Sequence, residues 1–298
     1  MDSDSAAAWR EEALDHIFAA LAASETVAAN LVFKGARVLS ARLRDEDRQS
    51  LDLDSNLTTA FLDAYPEREH QLRALQEAVE LALLNYFPLQ DPVRYEVAQV
   101  RVKSKPTSRH PWGWDAFEVN IGLQDHQLSS VVGIPRLTID VAAPEVLGMD
   151  AVSPLHVDGH LVAAYTTPRI AGEKLRAFLT SLPAYRTKLK GRHDIVRVKD
   201  LFDLVRISRQ APVADTPFWR VAAQEFRIAC ASRFVDCDGL ASFSEQLGVT
   251  RATYTRDKTM AIISFDDAWS NLALIIGLFE QLAVVPFEFP LPVVNAQS

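Results

Sequence analysis

The sequence predicts an α+β fold, a mixed sheet with flanking helices followed by a helical C-terminal half. Three observations predict it. Residues 31 to 54 read as strand, glycine turn, helix and acidic strand. Residues 93 to 141 hold runs of alternating apolar side chains. From residue 172 apolar residues recur at helical spacing. Two domains are expected: an α/β core over residues 1–160, and a mainly helical unit over 161–298 that packs against it with a cleft between. The junction from Gly148 to Gly159 reads as loop.

In chain order, residues 7 to 23 predict an amphipathic helix with Trp9, Leu14, Ile17, Phe18 and Leu21 on one side. A short strand, Leu31 to Lys34, ends at Gly35. Val38, Leu39 and Leu43 give the next segment helical spacing, and Leu51-Asp52-Leu53-Asp54 reads as a strand. A short helix is expected around Thr59 to Tyr65. Pro66-Glu67 opens a long one reaching Tyr86, with Leu72, Leu75, Val79 and Leu83 on its apolar side.

Val93, Tyr95, Val97, Val100 and Val102 mark one strand. Phe117, Val119, Ile121 and Leu123 alternate strictly in the next. Residues 104 to 114, with two prolines and Gly113, join them as a hairpin loop. Arg136 to Val141 is a third strand, carrying Asp140. Helices are expected from Gly172 and around Arg197 to Leu204, and helical character persists to about residue 285.

The 298 residues are 48% hydrophobic and 23% charged, ordinary values for a soluble protein with one large or two smaller domains. The formal net charge of -8 excludes the bulk basic character of many nucleic-acid binders, so any such contact must be local. Cys230 and Cys237 match no zinc or redox spacing and read as reduced thiols of a cytoplasmic protein. The acidic N-terminus lacks the basic region of a secretory signal. Residues 271 to 294 are apolar but broken by Glu280, Glu288 and three prolines, so a buried helix and an extended tail are expected and no membrane span.

The chemistry concentrates in residues 31 to 54. Asp52 and Asp54 are two apart on a strand and share a face. Two such carboxylates repel, and a divalent cation between them removes the repulsion; Mg²⁺ prefers carboxylate oxygens together with substrate phosphate. Gly35 lets backbone approach a phosphate closely, and the helix N-terminus behind it favours anions. The layout suits a nucleoside triphosphate with Mg²⁺.

Phe33-Lys34-Gly35 and Arg48-x-Ser50-x-Asp52-Leu53-Asp54 resemble the AbiEii/AbiGii abortive-infection toxins of the DNA polymerase β-like nucleotidyltransferase superfamily. The strand at Asp140, the Glu173-Lys174-Leu175-x-Ala177 segment and the Arg197-x-Lys199-Asp200-Leu201-Phe202-Asp203-Leu204 segment extend the likeness, in order, over residues 31 to 204. The chain departs from the family pattern at Ala36, still small, and at Arg37, where threonine is usual.

The resemblance implies a nucleotidyltransferase core and transfer of a nucleoside monophosphate from a triphosphate to a hydroxyl. Asp52, Asp54 and Asp140 would be its metal and catalytic carboxylates, with Asp140 either a ligand or the acceptor of the attacking hydroxyl's proton. Mg²⁺ or Mn²⁺ would be the metal. Lys174 would face the triphosphate. Asp200 would orient Lys174 or the nucleotide, or cap its helix. Lys34, Gly35, Ala36 and Ser50 would line the nucleotide site; Lys34 reaches either solvent or phosphate, and Ser50 either substrate or its own turn. The implied acceptor is RNA, of the transfer-RNA class, and an antitoxin protein is the implied partner. Modification of a small molecule or protein, or nucleotide binding without catalysis, are the alternatives.

Three further features are read from residues. Trp112 and Trp114 share the hairpin with Arg101, Lys103, Lys105 and Arg109, and either stack nucleic-acid bases or pin the loop to the sheet. Arg186, Lys188, Lys190 and Arg192 form a second basic run. His156-Val157-Asp158-Gly159-His160 lacks a further nearby ligand and is not expected to hold a metal.

Overall fold

The structure, a computed structural model, describes residues 3–45, 50–108, 110–128, 135–189 and 195–292. Arg48, Arg109, Lys190 and Arg192 lie outside the described residues. The chain divides into two compact units: residues 1–145 with 152–165, and residues 146–151 with 166–298.

The first unit opens with α1 (Ser3–Ala23) and α2 (Glu25–Asn30), then β1 (Leu31–Lys34), α3 (Gly35–Leu43) and β2 (Leu53–Leu57). Two helices follow, α4 (Thr59–Ala64) and α5 (Arg68–Tyr86), the latter close to the span expected from its apolar spacing. Then come β3 (Tyr95–Lys105), β4 (Ala116–Asp125), β5 (Leu137–Ala142), β6 (Val152–Val157) and β7 (His160–Tyr165). The described strands form one mixed sheet in the order β3-β4-β5-β2-β1-β7-β6. The pairs β2–β5 and β1–β7 are parallel; the remaining neighbours are antiparallel.

Cross-strand register sorts the side chains of this sheet. Leu53 pairs with Ile139, Ile139 with Val119 and Val119 with Val102, and all four are buried. The next residue along each strand therefore presents the opposite face. Strict alternation around Phe117 to Leu123 predicted this core face correctly. Trp9, Leu14, Ile17 and Leu21 of α1 and Leu75, Val79 and Leu83 of α5 are buried in the same unit.

Two expectations are corrected. Residues 148 to 159 are not all loop: β6 and β7 form a hairpin whose turn is Asp158-Gly159, both with positive φ (47° and 80°). Asp-Gly between alternating residues is a strong hairpin signal, and the candidate metal motif around His156 is this turn. Asp52 also lies just ahead of β2 rather than within it. The Ser50 hydroxyl donates to the Asp52 carbonyl at 3.0 Å, and Arg37 holds the Ser50 carbonyl just before the strand starts.

The second unit contains α6 (Thr167–Thr180), α7 (Pro183–Leu189), α8 (Val198–Gln210), α9 (Thr216–Arg233), α10 (Leu240–Phe243), α11 (Leu247–Arg256) and α12 (Phe265–Gln281). Its core includes Phe178, Phe202, Trp219, Phe226, Phe243 and Phe279, each essentially inaccessible. Helices α6 and α9 meet at Gly172, where an added β-carbon would lie 2.6 Å from the Phe226 backbone nitrogen. Only glycine allows that approach. Cys230 and Cys237 are buried free thiols, as expected of reduced cysteines. Among the described residues no helix is long and apolar enough to cross a membrane.

Candidate active site

One row of charged residues crosses the sheet on the face opposite the buried row. Lys34 of β1 pairs in register with Asp54 of β2, Asp54 with Asp140 of β5, Asp140 with Glu118 of β4 and Glu118 with Lys103 of β3. Register partners share a face, so three carboxylates stand side by side between two lysines. The parallel pairing of β2 with β5 brings Asp54 and Asp140 together although 85 residues of sequence separate them, 140 − 54 − 1.

Gly35 forms the wall beside Asp54. Its φ is +83°, a conformation side chains disfavour, and the Asp54 carboxylate fills the space a β-carbon would need. The glycine thus serves twice, turning the chain from β1 into α3 and admitting the carboxylate. Ala36 follows on the first turn and is half-buried. Arg42 fixes the other end of α3 by donating to the backbone carbonyls of Ser153, Ala164 and Tyr165.

Each end of the row is tied by a glutamate. Lys34 Nζ lies 3.0 Å from Glu145 Oε1, and the Tyr165 hydroxyl donates to Glu145 Oε2 at 2.9 Å while accepting from the Asn56 amide. At the other end Lys105 pairs with Glu118, and its Nζ lies 3.4 Å from Asp140 Oδ1. The hydrogen bond to Glu118 raises the Lys105 pKa, and Asp140 adds to it. Its bond from Lys105 in turn holds the Glu118 carboxyl below the ordinary value. Glu118 was missed in the sequence, although alternation in its strand puts it opposite the core face.

Asp52 is two-thirds exposed, with Oδ1 3.3 Å from Arg10. Ser50 is buried, and its hydroxyl donates to the Asp52 carbonyl within its own turn. Arg37, the departure from the family pattern, is buried and bonds Asp15 and the Ser50 carbonyl, so it fastens the approach to β2 onto α1.

The second unit carries its own charged cluster. Lys174 Nζ is 3.1 Å from Asp200 Oδ1 and 2.5 Å from Asp203 Oδ2. Arg197 bonds Asp200 at 2.7 Å and Arg206 bonds Asp203 at 3.0 Å. Burial alone would push the Asp200 carboxyl up, but the charges of Lys174 and Arg197 outweigh it and hold the pKa below its ordinary value. Asp200 and Asp203 lie one turn apart on α8 and face Lys174 together; the i,i+3 spacing was the signal for the second. Two carboxylates engage Lys174 where one was expected.

The basic runs are only partly open. Lys105 is taken up by the acidic row, and Lys188 pairs with Asp236 at 2.6 Å. Lys103 and Arg101 are exposed. On the loop between β3 and β4, His110 stacks on Trp114 at 4.9 Å and Trp112 meets Trp114 edge-on at 4.8 Å.

The donors fit a hard divalent cation. Among the described residues no three His, Cys, Asp or Glu side chains gather as a preformed metal cage. Mg²⁺ is ordinarily held by one or two carboxylates plus substrate phosphate, and Asp54 with Asp140 supplies such a pair.

Residues 16–271 match the family described as nucleotidyl transferase AbiEii toxin, type IV TA system. No curated protein sequence matches the chain. Similar solved structures include JHP933 from Helicobacter pylori, at 15% identity and TM-score 0.48, covering 95% of this chain and 94% of that one. MenT4, a nucleotidyltransferase toxin from Mycobacterium tuberculosis H37Rv, is also similar, at 15% identity and TM-score 0.42 over 93% of each chain.

Proposed function

The chain belongs to the AbiEii nucleotidyltransferase toxins of type IV toxin–antitoxin systems, which implies a nucleoside triphosphate substrate and an antitoxin partner, and from this premise we propose that it transfers a nucleoside monophosphate to RNA of the transfer-RNA class. The observation that carries the reading is the in-register pair Asp54–Asp140 beside the Gly35 turn. Asp54, Asp140 and Asp52 would hold Mg²⁺ or Mn²⁺. When bound, the metal would polarise the α-phosphate and offset charge on the attacking and leaving oxygens.

The chain's own groups do the rest. The Gly35 turn would bring backbone to the phosphates, with Ala36 and Lys34 beside it. Asp140 orients the acceptor hydroxyl or takes its proton. Within the second unit Lys174 is held by Asp200 and Asp203. The half-buried ring cluster of His110, Trp112 and Trp114, with Lys103 near the acidic row, favours an acceptor with bases to stack. Reduced thiols and an RNA acceptor belong together in the cytoplasm.

The test is incubation of the protein with each labelled nucleoside triphosphate, total RNA and Mg²⁺. Label should enter a small RNA with the wild-type chain and not with Asp54→Ala or Asp140→Asn. Label on protein or on a small metabolite would replace RNA as the acceptor. Expression of the wild-type chain should slow bacterial growth, and Asp54→Ala should not.

A further inference from the structure

We propose that Lys105 is an exchangeable counter-ion of Asp140, that Glu118 is the positioning residue holding it there, and that Lys105 yields Asp140 to an arriving divalent cation. The inference rests on the reading of Asp54 and Asp140 as the metal-binding pair.

The placement comes from sheet register. Lys105 ends β3, pairing with Ala116 of β4, which pairs with Ala142 of β5. This is the row next to Glu118 and Asp140, on the same face, two residues along each strand. Ala116 and Ala142 are small, so the lysine stem has room to lie across β4. Its ammonium reaches Glu118 and Asp140 together, the bond to Glu118 being the closer. About half of the Lys105 side chain and of Asp140 is exposed, at 51% and 54%, so the ammonium can leave Asp140 without breaking a buried pair.

The charges make this useful. Asp54, Asp140 and Glu118 are adjacent carboxylates that repel when nothing lies between them. Lys34 pairs with Glu145 at 3.0 Å, and Lys105 touches both Glu118 and Asp140. Lys103 also faces Glu118 in register and remains in every variant below. Once it gives up Asp140, Lys105 keeps its bond to Glu118 and stays beside the carboxylate row, where an incoming phosphate would meet a positive charge. Two side chains thereby serve both states: carboxylates neutralised without metal, and metal bound with a lysine close by.

The experiment measures Mn²⁺ affinity of the full chain, without nucleotide, by loss of the free-ion paramagnetic resonance signal. Lys105→Met should bind Mn²⁺ about fivefold more tightly than wild type, because a competing cation of surface strength is removed. Glu118→Gln should bind it more weakly, since Lys105 is then left to Asp140 alone. The double variant should bind within about threefold of Lys105→Met, the allowance being for screened charge. All variants should melt within about 2 °C of wild type, since the pair is half-exposed.

Unchanged or weaker Mn²⁺ binding by Lys105→Met overturns the inference. Loss of binding in the double variant also overturns it, since Glu118 would then be a direct ligand. Asp54→Asn and Asp140→Asn report separately on the underlying site. If they leave Mn²⁺ affinity intact, the metal-pair reading fails and the inference with it. If they weaken binding while Lys105→Met changes nothing, the inference alone fails.

Discussion

Gly35→Ala probes the turn and the carboxylate together. At φ +83° an alanine pays backbone strain of about 1–2 kcal/mol. Its methyl would also occupy the place of the Asp54 carboxylate, whose Cβ and Cγ lie only 3.0 Å from the added carbon. Rotating Asp54 off its preferred geometry adds about 1 kcal/mol. The sum is about 2–3 kcal/mol, or a fall of about 4–12 °C in melting temperature. Transfer should fall by about a hundredfold, because a reactive group shifted by about 1 Å can cost that much.

Gly159→Ala is the internal control. It has φ +80° and open space around its added carbon, so it meets the strain without the collision. The difference between the two variants isolates the displacement of Asp54. Thermal unfolding and Mn²⁺ binding are measured for both. A Gly35→Ala chain that melts and binds metal like Gly159→Ala would refute the claim that Gly35 makes room for Asp54.

Asp52→Ala should remove only a half-exposed pair with Arg10, changing stability by less than about 0.5 kcal/mol, while transfer falls more than about tenfold if Asp52 serves the metal; near-normal transfer would remove it from the site. Asp203→Asn should cost about 3–5 kcal/mol by urea unfolding, because Lys174 and Arg206 lose a buried counter-charge. Asp200 has a depressed folded pKa, so its stabilising contribution is complete above the ordinary value of 3.8 and is lost as pH falls below it; Asp200→Asn should flatten the acid limb of the stability profile. Burial pushes the Cys237 thiol up to about 11 and raises Cys230 well above its ordinary value, so neither should react with a disulfide reagent at about pH 8 until the protein is denatured.

Much of the site could be read from the chain because strand and helix periods carry it. Alternation around Leu53 and Asp54 separates core from open face, and the same rule applied to Ile139 and Asp140 gives the partner strand. The glycine after Phe33-Lys34 marks the turn, and the structure sets it against the Asp54 carboxylate. The long helix after Pro66 and the helices at Lys174 and Asp200 follow from apolar spacing. The hairpin at Asp158-Gly159 was legible too, through its turn residues, although Gly148 to Gly159 read as loop.

What the chain could not state alone is register between distant strands. Glu118 is one polar residue among several on its strand until β4 pairs with β5 and sets it beside Asp140. Lys105 looks like an open basic residue until the sheet brings two carboxylates under it. Arg37 looks like a charge at a phosphate turn until α1 and the Ser50 carbonyl take it up. Local periods arise from the geometry of a few successive residues, so sequence determines them. Pairing between segments far apart in the chain depends on which surfaces bury together, and only the tertiary structure decides that.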